Sequence, residues 1–209
     1  MKSEGTKFSC IVADPPWPIK WSGGGAYRIN GRGEKHINTK FKRTLPYPTM
    51  TVEEICALDV ESIAAPDAHL YLWSPDRWVI SGDAARVARS WGFEPMRLIV
   101  WAKRGFALGK FPRPQHEQAL VCRRGNLPFQ INNAGSVHIW TMPYARSGKS
   151  FGRVHSQKPD GFLDLVERAS PRPRLELFAR RTRPGWDVWG NEVFSTVKIY
   201  KKNQSVMIR

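Results

Sequence analysis

The apolar run Cys10-Ile11-Val12-Ala13 stops on Asp14-Pro15-Pro16-Trp17, and that junction restricts the fold more than any other stretch of the chain. Four consecutive apolar residues, with Phe8 just before them, read as a strand buried on both faces, as in a parallel sheet covered by helices. The prolines end it, because each fixes φ near −65° and lacks a backbone N–H. Open α/β sheets bind ligands outside the carboxyl ends of their strands. An acid brought to such an end, beside carbonyls with few competing donors and a flat indole, suits a ligand with N–H groups and a π face. The exocyclic amine of an adenine or cytosine removed from its helix fits that description. A turn that merely ends a strand above a core tryptophan is the structural alternative.

The remainder of the chain alternates strand and helix signals. From Pro15 to about Pro48 runs a long loop rich in glycine and basic residues, among them Arg28, Arg32, Lys40, Lys42 and Arg43, opposed only by Glu34. Thr51-Val52-Glu53-Glu54 has capping-box spacing and opens a helix. Ala68–Trp73 reads as a second buried strand. A helix is predicted from about Ser81 to Trp91, with Ala84, Val87, Ala88 and Trp91 on one face and Gly92 as its terminating glycine. Further strands are expected at Arg97–Trp101, Glu117–Cys122, Val137–Trp140 and Arg174–Phe178. Pro159 and Asp160 suit the first turn of a helix whose apolar face is Phe162, Leu163, Val166 and Ala169. The pattern predicts one α/β domain with a mainly parallel sheet over residues 1–194, followed by a basic C-terminal tail, 195–209.

Charge narrows the partners. Lys and Arg number 33 against 18 Asp and Glu, a net charge of +15, which points to a polyanion and first to nucleic acid. Nine tryptophans and 41% hydrophobic residues also imply a substantial core. Cys10, Cys56 and Cys122 are isolated, so neither a disulfide framework nor a zinc site is indicated, and a reducing cytoplasm is expected. No apolar run reaches the ~20 residues that span a bilayer, so no membrane partner is expected.

The Asp-Pro-Pro-Trp signature resembles that of the MT-A70 family of adenine-N6 methyltransferases, which use S-adenosylmethionine. An ordered series of further segments carries the same resemblance: Tyr47-Pro48-Thr49-Met50-Thr51, His69-Leu70-Tyr71-Leu72-Trp73, Trp91-Gly92-Phe93, Val100-Trp101-Ala102-Lys103 and His116-Glu117. It continues through His155-Ser156-Gln157-Lys158-Pro159-Asp160, Leu175-Glu176-Leu177-Phe178-Ala179-Arg180 and Trp189-Gly190-Asn191-Glu192. The resemblance implies a Rossmann-like S-adenosylmethionine methyltransferase domain in permuted order, with the catalytic motif ahead of the cofactor segment.

It also implies roles. Asp14 and the Pro15 carbonyl would bind the target amine within the motif Asp14, Pro15, Pro16 and Trp17, and Trp17 would stack on the base, wall the site or remain in the core. Lys158 would pair with the methionyl carboxylate of the cofactor, and Asn191 and Glu192 with its ribose. Arg180 would lie near the cofactor, a surface ion pair being its alternative. Independently of the resemblance, the charge of the loop and its place just after the motif lead to the expectation that Arg28, Arg32, Lys40, Lys42 and Arg43 contact the nucleic-acid backbone, a solvated flexible loop being the alternative. Methyl transfer of this kind needs no metal. DNA is the favoured polymer, because the compact chain looks like bacterial or phage DNA methyltransferases. RNA, a cytosine amine and a non-catalytic nucleic-acid binder stay open, as do a homodimer and an auxiliary subunit.

Overall fold

The structure is a computed structural model that describes residues 5–18, 27–29, 35–37, 48–105, 111–141, 144–147, 150–153 and 157–202. In chain order the strands are β1 (Phe8–Ala13), β2 (Tyr27–Ile29), β3 (Lys35–Ile37), β4 (Ala64–Ser74), β5 (Glu94–Ala102), β6 (His116–Arg124), β7 (Val137–His138), β8 (Tyr144–Ser147), β9 (Ser150–Arg153), β10 (Arg174–Leu177) and β11 (Trp186–Trp189). The helices are α1 (Val52–Cys56), α2 (Asp76–Ile80), α3 (Asp83–Ser90) and α4 (Asp160–Ala169). Seven strands form one sheet in the order β11-β10-β1-β4-β6-β5-β7. Every pairing in it is parallel except those of β6 with β4 and β5. β2 pairs with β3, and β8 with β9, in separate antiparallel ribbons.

Strand alternation divides the core. Ile11, Ala13, Leu70, Leu72, Leu120, Cys122, Leu175 and Leu177 point to the face covered by α1 and α3. Cys10, Val12, Tyr71, Trp73, Trp101, Ala119 and Val121 point to the face covered by α4. Burial on both sides accounts for the unbroken apolar run in β1, which lies between β10 and β4.

Most local signals are obeyed. Thr51 and Glu54 form the reciprocal capping box, with Glu54 N–H donating to Thr51 Oγ1 at 3.1 Å and Thr51 N–H to Glu54 Oε2 at 2.8 Å. Gly92, at φ 82°, ends α3 in a Schellman turn closed by Phe93 N–H to the Ala88 carbonyl at 3.0 Å. The loop expected from Pro15 to Pro48 contains the β2–β3 ribbon. Arg28 lies in β2, whereas Arg32, Lys40, Lys42 and Arg43 lie outside the described residues. The expected basic tail is joined to the domain as far as Lys202: Thr196 N–H donates to the Val188 carbonyl, and Lys202 N–H to that of Ala57.

Ser170, just past α4, fastens that helix to the sheet. His69 Nε2 lies 3.0 Å from the Leu127 carbonyl, which can only accept, so Nε2 carries the proton. Nδ1 then accepts from Ser170 Oγ at 2.8 Å, and the Tyr71 hydroxyl donates to the same Oγ at 2.8 Å. Ser170→Ala leaves a buried ring nitrogen and a buried hydroxyl without partners, at a cost of about 1–3 kcal/mol. Urea titration should therefore show a lower midpoint at an unchanged slope; an unaltered midpoint would contradict this role.

Candidate active site

Because parallel strands share a direction, the carboxyl ends of β1, β4, β5, β10 and β11 meet along one edge of the sheet. β6 runs the other way and brings its first residues there instead. Asp14 leaves β1, Lys103 leaves β5, Glu117 opens β6, and Lys158 stands two residues before α4. Their side chains form a row of alternating charge on the α4 face. Lys158 Nζ lies 2.7 Å from Asp14 Oδ2 and 3.4 Å from Glu117 Oε2, and Lys103 donates to the other Glu117 oxygen. The Lys158 ammonium also sits 5.2 Å above the Trp73 ring, and that of Lys103 4.6 Å above Trp101.

These groups are largely withdrawn from water; the Lys158 and Asp14 side chains are 19% and 29% exposed. Burial raises the Asp14 carboxyl above its ordinary range, against the pull of Lys158. For Lys158 burial disfavours the charge, but Asp14 and Glu117 outweigh it and hold the ammonium more firmly protonated than usual. Burial likewise opposes ionisation of Glu117, and here Lys158 and Lys103 prevail and lower its pKa. The sequence brings Asp14 and Lys158 forward as site residues, and the structure puts them in contact. Glu117, Lys103 and Trp73 stand in the matching segments without any signal of their role.

The motif's backbone is fixed at both prolines. Trp17 N–H donates to the Pro15 carbonyl at 2.8 Å, and Met50 N–H to that of Pro16 at 2.9 Å. A carbonyl has two lone pairs, so Pro15 retains acceptor capacity. Trp17 is 3% exposed, stacks on Trp78 at 6.1 Å between ring centroids, and donates its indole N–H to the Trp73 carbonyl at 2.8 Å. Of the roles expected for it, this geometry serves the core one: Trp17 anchors the turn that carries Asp14.

The ends of β10 and β11 form the other half of the edge. Phe178 takes φ 61°, a left-handed conformation unfavourable for a bulky residue, and its ring packs edge-on against Trp189 at 5.2 Å. The turn that a glycine-rich loop makes cheaply is thus made here by a phenylalanine held by its neighbour. Gly190 allows the second close approach, since a Cβ there would stand 2.2 Å from the Ala179 carbonyl oxygen. Arg180 Nε donates to Glu192 Oε1 at 2.8 Å, and its charge also reaches Asp14. Asn191 lies exposed in the turn between them.

Among the described residues, two polar atoms on the α4 side are buried without hydrogen-bond partners, Glu176 Oε2 and Trp73 Nε1. Burial, aided by Asp14, pushes the Glu176 carboxyl up to about 7. The folded state therefore holds that proton more tightly than the unfolded chain. The resulting stabilisation is present below about pH 4.5 and is lost as pH rises towards 7. Glu176→Gln should gain on the wild type by roughly 2–3 kcal/mol between pH 4.5 and pH 8. Chemical denaturation at the two pH values measures this, and a pH-independent difference would contradict it.

Comparison with known proteins identifies the family. The MT-A70 family profile matches residues 8–192, which include every site residue above. The type II methyltransferase M.MunI of Mycoplasma sp is 31% identical over 196 residues, covering 90% of this chain and 78% of that protein. The human N(6)-adenosine-methyltransferase catalytic subunit METTL3 is 28% identical over 202 residues, covering 90% of this chain and 28% of that protein. The Drosophila melanogaster N(6)-adenosine-methyltransferase MT-A70-like protein is 28% identical over 202 residues, and the chain spans 27% of its length. With a Rossmann-like α/β sheet led by the Asp-Pro-Pro-Trp strand, the chain belongs to the MT-A70 family of methyltransferases.

Proposed function

We propose that this protein transfers a methyl group from S-adenosylmethionine to the N6 amine of adenine in DNA, acting on a base taken out of the helix. The observation that carries the reading is the contact between Asp14, at the end of the central strand, and Lys158, ahead of α4. When bound, S-adenosylmethionine supplies a methyl group already activated by its sulfonium. The site fits a ligand of that chemistry. Glu176 offers a buried, unpartnered carboxylate oxygen towards an ammonium, and Lys158 offers a charge to a carboxylate. Asn191 and Glu192, next to the close approach at Gly190, and Arg180, bonded to Glu192, are assigned to the ribose and its surroundings.

Asp14 then does the work on the base. The lone pair of an adenine amine is delocalised into the ring and attacks poorly. Hydrogen bonds donated by that amine to Asp14 and to the free lone pair of the Pro15 carbonyl turn the nitrogen lone pair out of the ring plane. They also offset the positive charge that develops as the methyl group arrives, and Asp14 is placed to accept the departing proton. Fixed acceptors of this kind can be worth roughly 3–4 kcal/mol each. Lys158 and Glu117 hold the carboxylate in position while Trp17 holds its backbone.

DNA is favoured over RNA by similarity: identity to the type II methyltransferase M.MunI is 31%, against 28% to the human and Drosophila N(6)-adenosine-methyltransferases. The net charge of +15 suits either polymer. The basic residues Arg28, Arg32, Lys40, Lys42 and Arg43 are proposed to contact the phosphates of the substrate.

Incubation with S-adenosylmethionine and either DNA or RNA, followed by digestion to nucleosides, identifies base, atom and polymer together. N6-methyldeoxyadenosine is expected; methylcytosine, or product in RNA alone, would refute the reading. Lys158→Ala and Asn191→Ala should each weaken binding of S-adenosylhomocysteine by about 1.5–3 kcal/mol, or one to two decades. Calorimetric titration measures this, and unchanged affinity in both would remove these residues from the cofactor site.

A further inference from the structure

A buried polar group without a hydrogen-bond partner is costly, and in a folded protein it calls for a specific explanation. Among the described residues the two side-chain atoms in that condition, Trp73 Nε1 and Glu176 Oε2, belong to one face of one sheet. Val12, in the core beneath α4, pairs with Glu176 on β10 and with Tyr71 on β4. Ala13 pairs with Leu72, so Asp14 and Trp73 follow side by side. Two strand spacings separate β4 from β10, roughly 10 Å at the backbone. An indole and a glutamate side chain can close such a gap from both sides around one small ligand group.

Trp73 is fixed for that contact. Its ring is 2% exposed, packs on Phe162 at 4.6 Å between centroids, and lies 5.2 Å beneath the Lys158 ammonium. Its carbonyl accepts the Trp17 indole N–H, which ties it to the turn that carries Asp14. An indole nitrogen donates and never accepts, whereas a carboxylate oxygen accepts. The complementary ligand therefore brings an acceptor to Trp73 and a donor to Glu176. A carboxylate and an ammonium on one carbon atom do both, and Lys158 above the ring adds the charge that a carboxylate calls for. A single water bridging the two atoms would also satisfy them, without any cofactor.

We propose that Trp73 is a cofactor-binding residue: its indole N–H donates to the carboxylate of the methionyl end of S-adenosylmethionine, beside Lys158, while Glu176 accepts from the ammonium on the same carbon. The inference rests on the S-adenosylmethionine reading above. Trp73 then touches the cofactor with its side chain and the Asp14 turn with its backbone, which sets the methyl donor relative to the acceptor of the target amine.

The test compares calorimetric affinities for two ligands that share adenosine and thioether and differ in the amino-acid end: S-adenosylhomocysteine, which has it, and 5′-methylthioadenosine, which lacks it. Trp73→Phe keeps an aromatic ring under Lys158 and removes the donor. It should weaken S-adenosylhomocysteine about tenfold or more and leave methylthioadenosine within about twofold of the wild type. Equal weakening of both ligands, or of neither, would overturn the proposal, and the second result would assign the two buried atoms to a bridging water. A measurement on the unaltered protein decides the matter should the variant fail to fold. The Trp73 indole proton resonance should move downfield with S-adenosylhomocysteine and not with methylthioadenosine; a resonance that both ligands leave alone, or shift alike, overturns the assignment. Wild-type protein that binds neither ligand would refute the cofactor reading itself. A wild-type preference for S-adenosylhomocysteine that the variant retains in full removes Trp73 alone.

Discussion

A single ammonium shared by two carboxylates organises this end of the molecule. Lys158 stands between Asp14 and Glu117, and Glu117 in turn stands between Lys158 and Lys103. Each charge in the row is compensated on at least one side. That is the condition under which such groups can remain ionised where burial disfavours them. Removing a member unbalances the row in a partly buried site, but Lys158 keeps Glu117 as a partner when Asp14 is neutralised. In the proposed reaction Asp14 serves as an oriented acceptor at a strand end, and Lys158 is the group that would re-pair with an anionic ligand.

The sheet exists in the form that assembles this row. Four contiguous parallel strands bring Asp14, Trp73, Phe178 and Asn191 to a common edge, and the reversal of β6 adds Glu117 from the opposite strand direction. The two closest approaches of the edge are backbone features. Phe178 accepts a left-handed turn that its packing on Trp189 stabilises, and Gly190 has no Cβ to collide with Ala179. Trp17 is a fixed post under the turn that carries Asp14, its indole N–H donated to the Trp73 carbonyl.

Much of this was legible in the sequence, for identifiable reasons. β1, α1, α3 and α4 announce themselves through apolar periodicity and caps that depend on a few neighbouring residues. The single turn of α2, which has no side-chain cap, and the four-residue β11 are too short to have a period. Glu117 illustrates a different limit. Its contribution depends on β6 being antiparallel, so that the start of the strand rather than its end reaches the edge that carries Asp14, and strand direction leaves no local mark. Glu176 sits in a matching segment, but its missing partner is a property of three packed strands. The tail expected after residue 194 reads as basic and polar, yet Val197 and Ile199 pack on the core, which a short alternating stretch does not disclose.

The central claim is that Asp14 acts on the target amine while the cofactor is held elsewhere. Single-turnover methyl transfer by Asp14→Asn with the cofactor already bound tests it most directly, because binding is then removed from the rate. The account predicts a fall of roughly 100-fold or more in that rate, with affinity for S-adenosylhomocysteine staying within about threefold of the wild type. A rate close to the wild type, or a fall wholly explained by lost cofactor affinity, would contradict it.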